Sequence, residues 1–255
     1  MKQIALHSVP RSGSSWIGQI LNSSPIVNYK FQPLFSYEFK DYLDKNSTKD
    51  RINNFFNKIA RNNSDFLIQK EKVDSGFYPV FKKNKRYTHI VYKEVRYHHI
   101  VKNMLDKTDN NLLLIGIVRN PFAVINSFLL APREFRNDLG WDKYKEWQYA
   151  DSKNQGKKEE FFGFEKWKEI YFLFDDLKKI YANRFFLIDY DKILFDTVKE
   201  VKKLFKFCGI KYSTQTDDFI NKSRLINSKD VYSVYKIKYI DGGRCKDRLF
   251  LPFRI

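Results

Sequence analysis

The chain has 255 residues, enough for one medium-sized domain with a substantial core. Hydrophobic residues make up 43% and aromatics 17%, which excludes an intrinsically disordered chain. With 47 Lys and Arg against 30 Asp and Glu, the net charge of +17 points to an anionic partner without choosing among nucleic acid, membrane surface, nucleotide and acidic polysaccharide.

The first apolar segment, Gln3 to Val9, reads as a short buried strand. Pro10 to Ser15 form a small-residue loop, and Trp16 to Asn22 open a helix that Pro25 ends. Ile26 to Phe31 is a second strand. From Leu34 to Arg86 the chain turns polar, and Ile52, Phe55, Phe56 and Ile59 lie at the 3–4 spacing of an amphipathic helix. His89 to Val95 is a third strand. Leu112 to Val118, apolar throughout, reads as a central strand buried on both faces of a parallel sheet. Pro121 suits the first turn of a helix. Residues 136–163, charged and Gly-containing, read as a surface excursion. Phe164 to Tyr181 is a long helix, Arg184 to Ile188 a strand, and Thr197 to Phe207 a helix ended by Gly209. The longest apolar run, Leu112 to Val118, is far short of the roughly 20 residues that span a bilayer. Cys208 and Cys245 have no partners at metal or CxxC spacing, so neither a zinc site nor a disulfide framework is expected. These features predict an α/β fold with a mostly parallel sheet, one domain over 1–255, and a cytoplasmic location.

In such sheets ligands bind beyond the carboxyl ends of the strands. The segments beginning at Pro10, Gln32, Glu94, Arg119 and Tyr190 all follow predicted strands. In the first, Gly13 permits a tight turn before a helix, where free N–H groups and the helix dipole attract an anion. Ser12, Ser14 and Ser15 add hydroxyls, and Arg11 adds fixed positive charge. A nucleoside-triphosphatase loop would need a Gly at the position of Ser8 and a Lys at that of Ser14.

Pro10-Arg11-Ser12-Gly13-Ser14-Ser15-Trp16 resembles the 5'-phosphosulfate loop of sulfotransferases that use 3'-phosphoadenylyl sulfate (PAPS). Ile117 to Ser127 (IVRNPFAVINS) resembles their second motif, a strand followed by Arg-Asn/Asp-Pro and then a Ser. The resemblance extends toward bacterial-type carbohydrate sulfotransferases. Residues 12–35, with Phe31-Gln32-Pro33-Leu34, are similar to their loop, helix and Phe-Glu-Pro-Leu segment. Tyr92-Lys93-Glu94-Val95-Arg96 is similar to their Lys-x-Val-Arg strand end, and Leu187 to Asp191 to their Arg-Tyr-Glu-Asp segment. The resemblance implies a P-loop-like three-layer fold, with helical insertions at about 37–88 and 131–163. It implies PAPS as donor, held by Arg11, Ser12, Gly13, Ser14, Ser15, Trp16, Arg119 and Ser127, and a sugar or glycan-precursor hydroxyl as acceptor, with no metal required. Where the carbohydrate enzymes carry a catalytic Glu, this chain has Gln32, and an amide does not accept a proton at neutral pH.

Either another residue is the base, or the substrate differs, or Gln32 positions a hydroxyl; as the base, His98 comes first because a neutral imidazole suits the task. Glu94 is second and Glu38 third. Gln32, Glu94 and Arg96 are candidate substrate contacts. Lys93 and Arg96 either hold an anion or face solvent. His7 and His89, within or at the start of strands, read as structural. A Gly/basic loop at 241–248 offers Arg244 or Lys246 for the 3'-phosphate. Three other readings stay open: a P-loop kinase, a nucleic-acid-binding module without a recognisable motif, and a PAPS-binding homologue without catalysis.

Overall fold

A computed structural model of the chain describes residues 1–225, 230 and 232–234. Five strands form one sheet: β1 (Lys2–Ser8), β2 (Val27–Phe31), β3 (His89–Glu94), β4 (Leu112–Val118) and β5 (Phe185–Asp189). Their order is β2-β3-β1-β4-β5, and every pairing is parallel. All five carboxyl ends therefore lie along one edge, where α/β sheets bind ligands.

The sheet is covered on both faces, as parallel sheets require. On one side α1 (Ser14–Asn22) packs Trp16, Ile17, Ile20 and Leu21 on Ile4 and Leu6 of β1. This layer is completed by α11 (Thr197–Cys208) and α12 (Thr214–Leu225), through Val201, Leu204, Phe219 and Ile220. On the other side lie α2 (Lys49–Arg61), α5 (Val101–Lys107) and α9 (Phe164–Ile180). The helix expected around Arg51 forms with its four spaced apolar residues buried. Its N-terminus is fixed by the Thr48 hydroxyl, which accepts from the Arg51 N–H. The short α3 (Asp65–Ile68) and α4 (Lys70–Asp74) follow it.

After β4, Asn120 caps α6 (Pro121–Leu129) by accepting from the N–H groups of Phe122 and Ala123. The segment expected to be a surface excursion, 136–163, is exposed along much of its length but also carries helices and a buried part. It forms α7 (Lys143–Tyr149) and α8 (Asp151–Asn154) and puts Phe161 into the main core, while Ala150 and Phe162 build a satellite core with Phe128 and Phe135. Glu146 and Glu160 are buried with these rings while Tyr144 and Tyr149 stay exposed, a sorting that its composition does not show. After β5 the short α10 (Tyr190–Phe195) carries the chain to α11, and Gly209 ends α11 at φ 72. Residues 241–248, including Arg244 and Lys246, lie outside the described residues.

Candidate active site

The turn between β1 and α1 takes an unusual backbone course. Arg11 has φ 68 and Gly13 φ 85, both in the left-handed region. A residue other than glycine pays about 1–2 kcal/mol there, so Arg11 is held by its surroundings. Gly13 could carry no side chain in any case, because a Cβ would overlap the Tyr190 ring. The N–H groups of Gly13, Ser14 and Ser15 have no acceptor among the described residues. They open a nine-residue helix, and so offer donors and the positive end of a dipole to an anion.

The second motif lies against this turn. Arg11 Nε donates to Ser127 Oγ at 3.1 Å, and Arg119 Nη1 donates to the Arg11 carbonyl at 3.0 Å. Arg119 also lies over the Tyr190 ring at 5.0 Å, while its carbonyl accepts from Trp167 Nε1 at 3.1 Å. Tyr190 thus touches both halves of the site. Tyr232 closes the outer side, with its ring 5.0 Å from Arg11 and 5.1 Å from Arg133. The residues fit a nucleotide carrying two phosphate ends: unbonded helix-start N–H groups, two arginines and a serine converge on one edge.

Two residues expected to hold the donor are placed differently. Trp16 is packed in the core. Its Nε1 donates to Ser223 Oγ at 2.9 Å, its N–H is taken by the Gly13 carbonyl, and its ring sits edge-on to Tyr190. Ser12 is enclosed, and its hydroxyl has no hydrogen-bond partner among the described residues.

At the ends of β2 and β3, Gln32 adopts φ 41, and its N–H donates to the Lys93 carbonyl at 2.8 Å. Arg96 Nη1 donates to Gln32 Oε1 at 3.1 Å, and Arg96 Nε to Glu160 Oε1 at 2.9 Å. This buried ion pair fixes the amide in place of the missing carboxylate. Glu160 comes from the segment read as a surface excursion, and nothing in its local sequence marks it.

His98 is not placed to act as a base. Tyr97 takes φ 56 and turns the ring inward, where it has 0% exposure between His7, Phe161 and Phe174. Its Nδ1 lies 3.1 Å from His7 Nδ1, and His7 Nε2 lies 3.0 Å from the Tyr92 hydroxyl. Burial pushes its pKa well below the usual value and that of His7 to about 3, so both rings are neutral and feebly basic. Glu38 is drawn outward to accept from Asn62 Nδ2 at 2.7 Å. Glu94 is also enclosed. Burial raises its carboxyl and lowers the neighbouring Lys93 ammonium, and its Oε2 has no hydrogen-bond partner among the described residues.

The fold and this edge define an α/β domain whose anion-binding groups gather beyond its strand ends. The sulfotransferase domain family matches residues 1–252, and the chain belongs to that family. Among solved structures it is similar to mouse sulfotransferase SULT7A1 complexed with PAP, at 15% identity and a TM-score of 0.50; the match covers 87% of this chain and 63% of the mouse one. The chain thus spans less than two thirds of that relative. It is also similar to the sulfotransferase domain of the Synechococcus PCC 7002 olefin synthase, with 17% identity, TM-score 0.49, and 90% and 78% coverage. A third similar structure is the sulfotransferase domain from the curacin biosynthetic pathway, with 15% identity, TM-score 0.47, and 84% and 75% coverage. No curated protein matches the sequence. Among the described residues no helix is long and apolar enough to cross a membrane, and no group of three or more metal-ligating side chains occurs.

Proposed function

We propose that the protein transfers a sulfuryl group from PAPS to a hydroxyl of a carbohydrate or glycan precursor in the cytoplasm. The observation that carries this reading is the direct contact of the two motifs through Arg11 and Ser127. When bound, PAPS supplies an activated sulfuryl group and a good leaving group. The acceptor oxygen bonds to sulfur as the bond from sulfur to the bridging phosphate oxygen breaks. That oxygen leaves on adenosine 3',5'-bisphosphate (PAP), and the hydroxyl proton passes to the protein.

Such a transfer is governed by positioning and by charge stabilisation. Arg11 and the N–H groups of residues 13–15 face the end where negative charge grows. Arg119 and Ser127 are assigned to the 3'-phosphate. Gln32, held by Arg96, orients the acceptor hydroxyl. We assign the proton to Glu94, which ends β3 on the carboxyl edge beside the Lys93 carbonyl that holds Gln32. The His98 ring is instead set against His7 and Phe161; burial also raises the Glu94 carboxyl and lowers the His98 ring.

Calorimetric titration with PAP tests the reading. Binding should be saturable, weakened at least tenfold in Arg11→Ala, and independent of Mg²⁺. A chain that ignores PAP and hydrolyses ATP with Mg²⁺ would return the assignment to a kinase.

A further inference from the structure

Three phenylalanines line the carboxyl edge beyond β2, and two of them are open to solvent. Phe35 is 47% exposed and Phe66, on α3, is 38% exposed. Their ring centroids are 6.3 Å apart, and Phe66 meets Phe31 at 5.8 Å. Cations stand at both ends of this strip. Arg96 lies 4.1 Å over Phe35, but its charge is already answered by Glu160. At the other end Lys93 and Lys72 lie 4.6 Å and 5.6 Å from the Phe31 centroid.

Neither lysine has a carboxylate within 4.0 Å among the described residues. Lys93 is only 3% exposed and has no hydrogen-bond partner there, and Lys72 has only the Tyr78 hydroxyl at 3.5 Å. Carboxylates act on both at longer range, Glu94 on Lys93 and Asp230 and Glu71 on Lys72, but none is at contact distance. An anion bound beside a desolvated ammonium recovers part of the cost of burying it. Burial lowers both ammonium groups, and the nearby carboxylates oppose that shift only in part. Lys72 is also close to the donor loop, because Tyr78 interacts with Ser15.

We infer that Phe35, Phe66 and Phe31 form an acceptor platform for a sugar bearing a carboxylate or phosphate, with the ring on the phenylalanines and the anion on Lys72 and Lys93. Phe66 and Lys72 come from the insertion at 37–88, so this chain's own insertion supplies the selectivity. A neutral apolar alcohol would use the rings and leave both ammonium groups without an anion at contact distance. The inference rests on the sulfuryl-transfer reading and refines its acceptor.

Labelled transfer from PAPS to paired probes tests it. One pair is a glucuronate-containing tetrasaccharide and its carboxyl-reduced form; the other is a sugar phosphate and its dephosphorylated form. A charged member should be favoured at least tenfold in kcat/KM. Lys72→Ala should raise its KM about tenfold with little change for the neutral member, and Phe66→Ala should raise both. PAP affinity, measured separately, should hold in both variants. The inference is overturned if neither charged member is favoured, if Lys72→Ala treats the members of a pair alike, or if only phenols or steroid alcohols are sulfated. A wild-type chain that binds no PAP refutes the underlying reading, whereas one that binds PAP but ignores charged sugars refutes the platform alone.

Discussion

Arg11 Nε and Ser127 Oγ meet at 3.1 Å although 116 positions separate them in the chain. The contact joins the turn after β1 to the helix after β4, strands that are neighbours in the sheet. Arg11→Ala should therefore reduce turnover by about 10²–10³, since it removes charge facing the leaving group. Ser127→Ala should mainly weaken PAP binding, by about tenfold, the worth of one charge-assisted hydrogen bond. Steady-state kinetics with parallel calorimetry separate the two effects, and equal losses in kcat for both variants would contradict the division of labour.

Gly13→Ala should lower stability by about 2–4 kcal/mol. The added methyl meets the Tyr190 ring, and φ 85 disfavours any side chain. Urea unfolding measures the loss. A shift below about 0.5 kcal/mol would mean that the turn relaxes freely and is not held by Tyr190.

The buried imidazoles make stability depend on pH. An unfolded His titrates near 6.5, whereas His7 in the fold is pushed down to about 3 and His98 is also lowered. Between these values the unfolded chain binds protons that the folded one refuses. Stability is thus fully present above about pH 6.5 and falls as pH drops through the window, by about 1.4 kcal/mol per pH unit for each ring. His98→Leu should remove one ring's share of the slope between about pH 6 and 4. Unfolding curves with the wild-type slope would show that His98 carries no such linkage.

Glu160→Ala should be costly for a residue in a polar loop, at about 3 kcal/mol. It strands the Arg96 guanidinium, whose other hydrogen bond is to Gln32. Glu160→Gln keeps an acceptor and should recover part of the loss. Indistinguishable midpoints for all three chains would remove the ion pair from the account.

Glu94→Gln preserves shape and removes basicity. It should lower kcat by about 10²–10⁴ and abolish the acidic limb of the pH–rate profile, with PAP affinity unchanged. Wild-type turnover would assign the proton elsewhere.

What the sequence revealed followed from physics that is local in the chain. Leu112–Val118 is apolar at every position, and a strand with these bounds forms in the middle of the sheet. Pro10, Gln32, Glu94, Arg119 and Tyr190 follow or end strands, and parallel pairing gathers them on one edge. The losses were orientational. His98 follows a strand end as a base should, but one positive φ at Tyr97 turns it into the core. Trp16 follows the anion loop directly, but its helix faces it inward. Glu160, Lys72 and Phe66 act through contacts with residues far along the chain, which no local pattern encodes. The polar α12 carries only Thr216, Phe219, Ile220 and Ser223 inward, too sparse a stripe to announce a helix.

The placing of β1 bears on how the chain is made. Its residues Lys2 to His7 pair with His89 to Glu94 on one side, and Gln3 to Ser8 pair with Leu112 to Ile117 on the other. A ribosome must therefore release more than a hundred residues before the first strand has both neighbours. Until then the donor turn has no scaffold to shape it, and such late, non-local closure slows folding and leaves apolar segments open to aggregation.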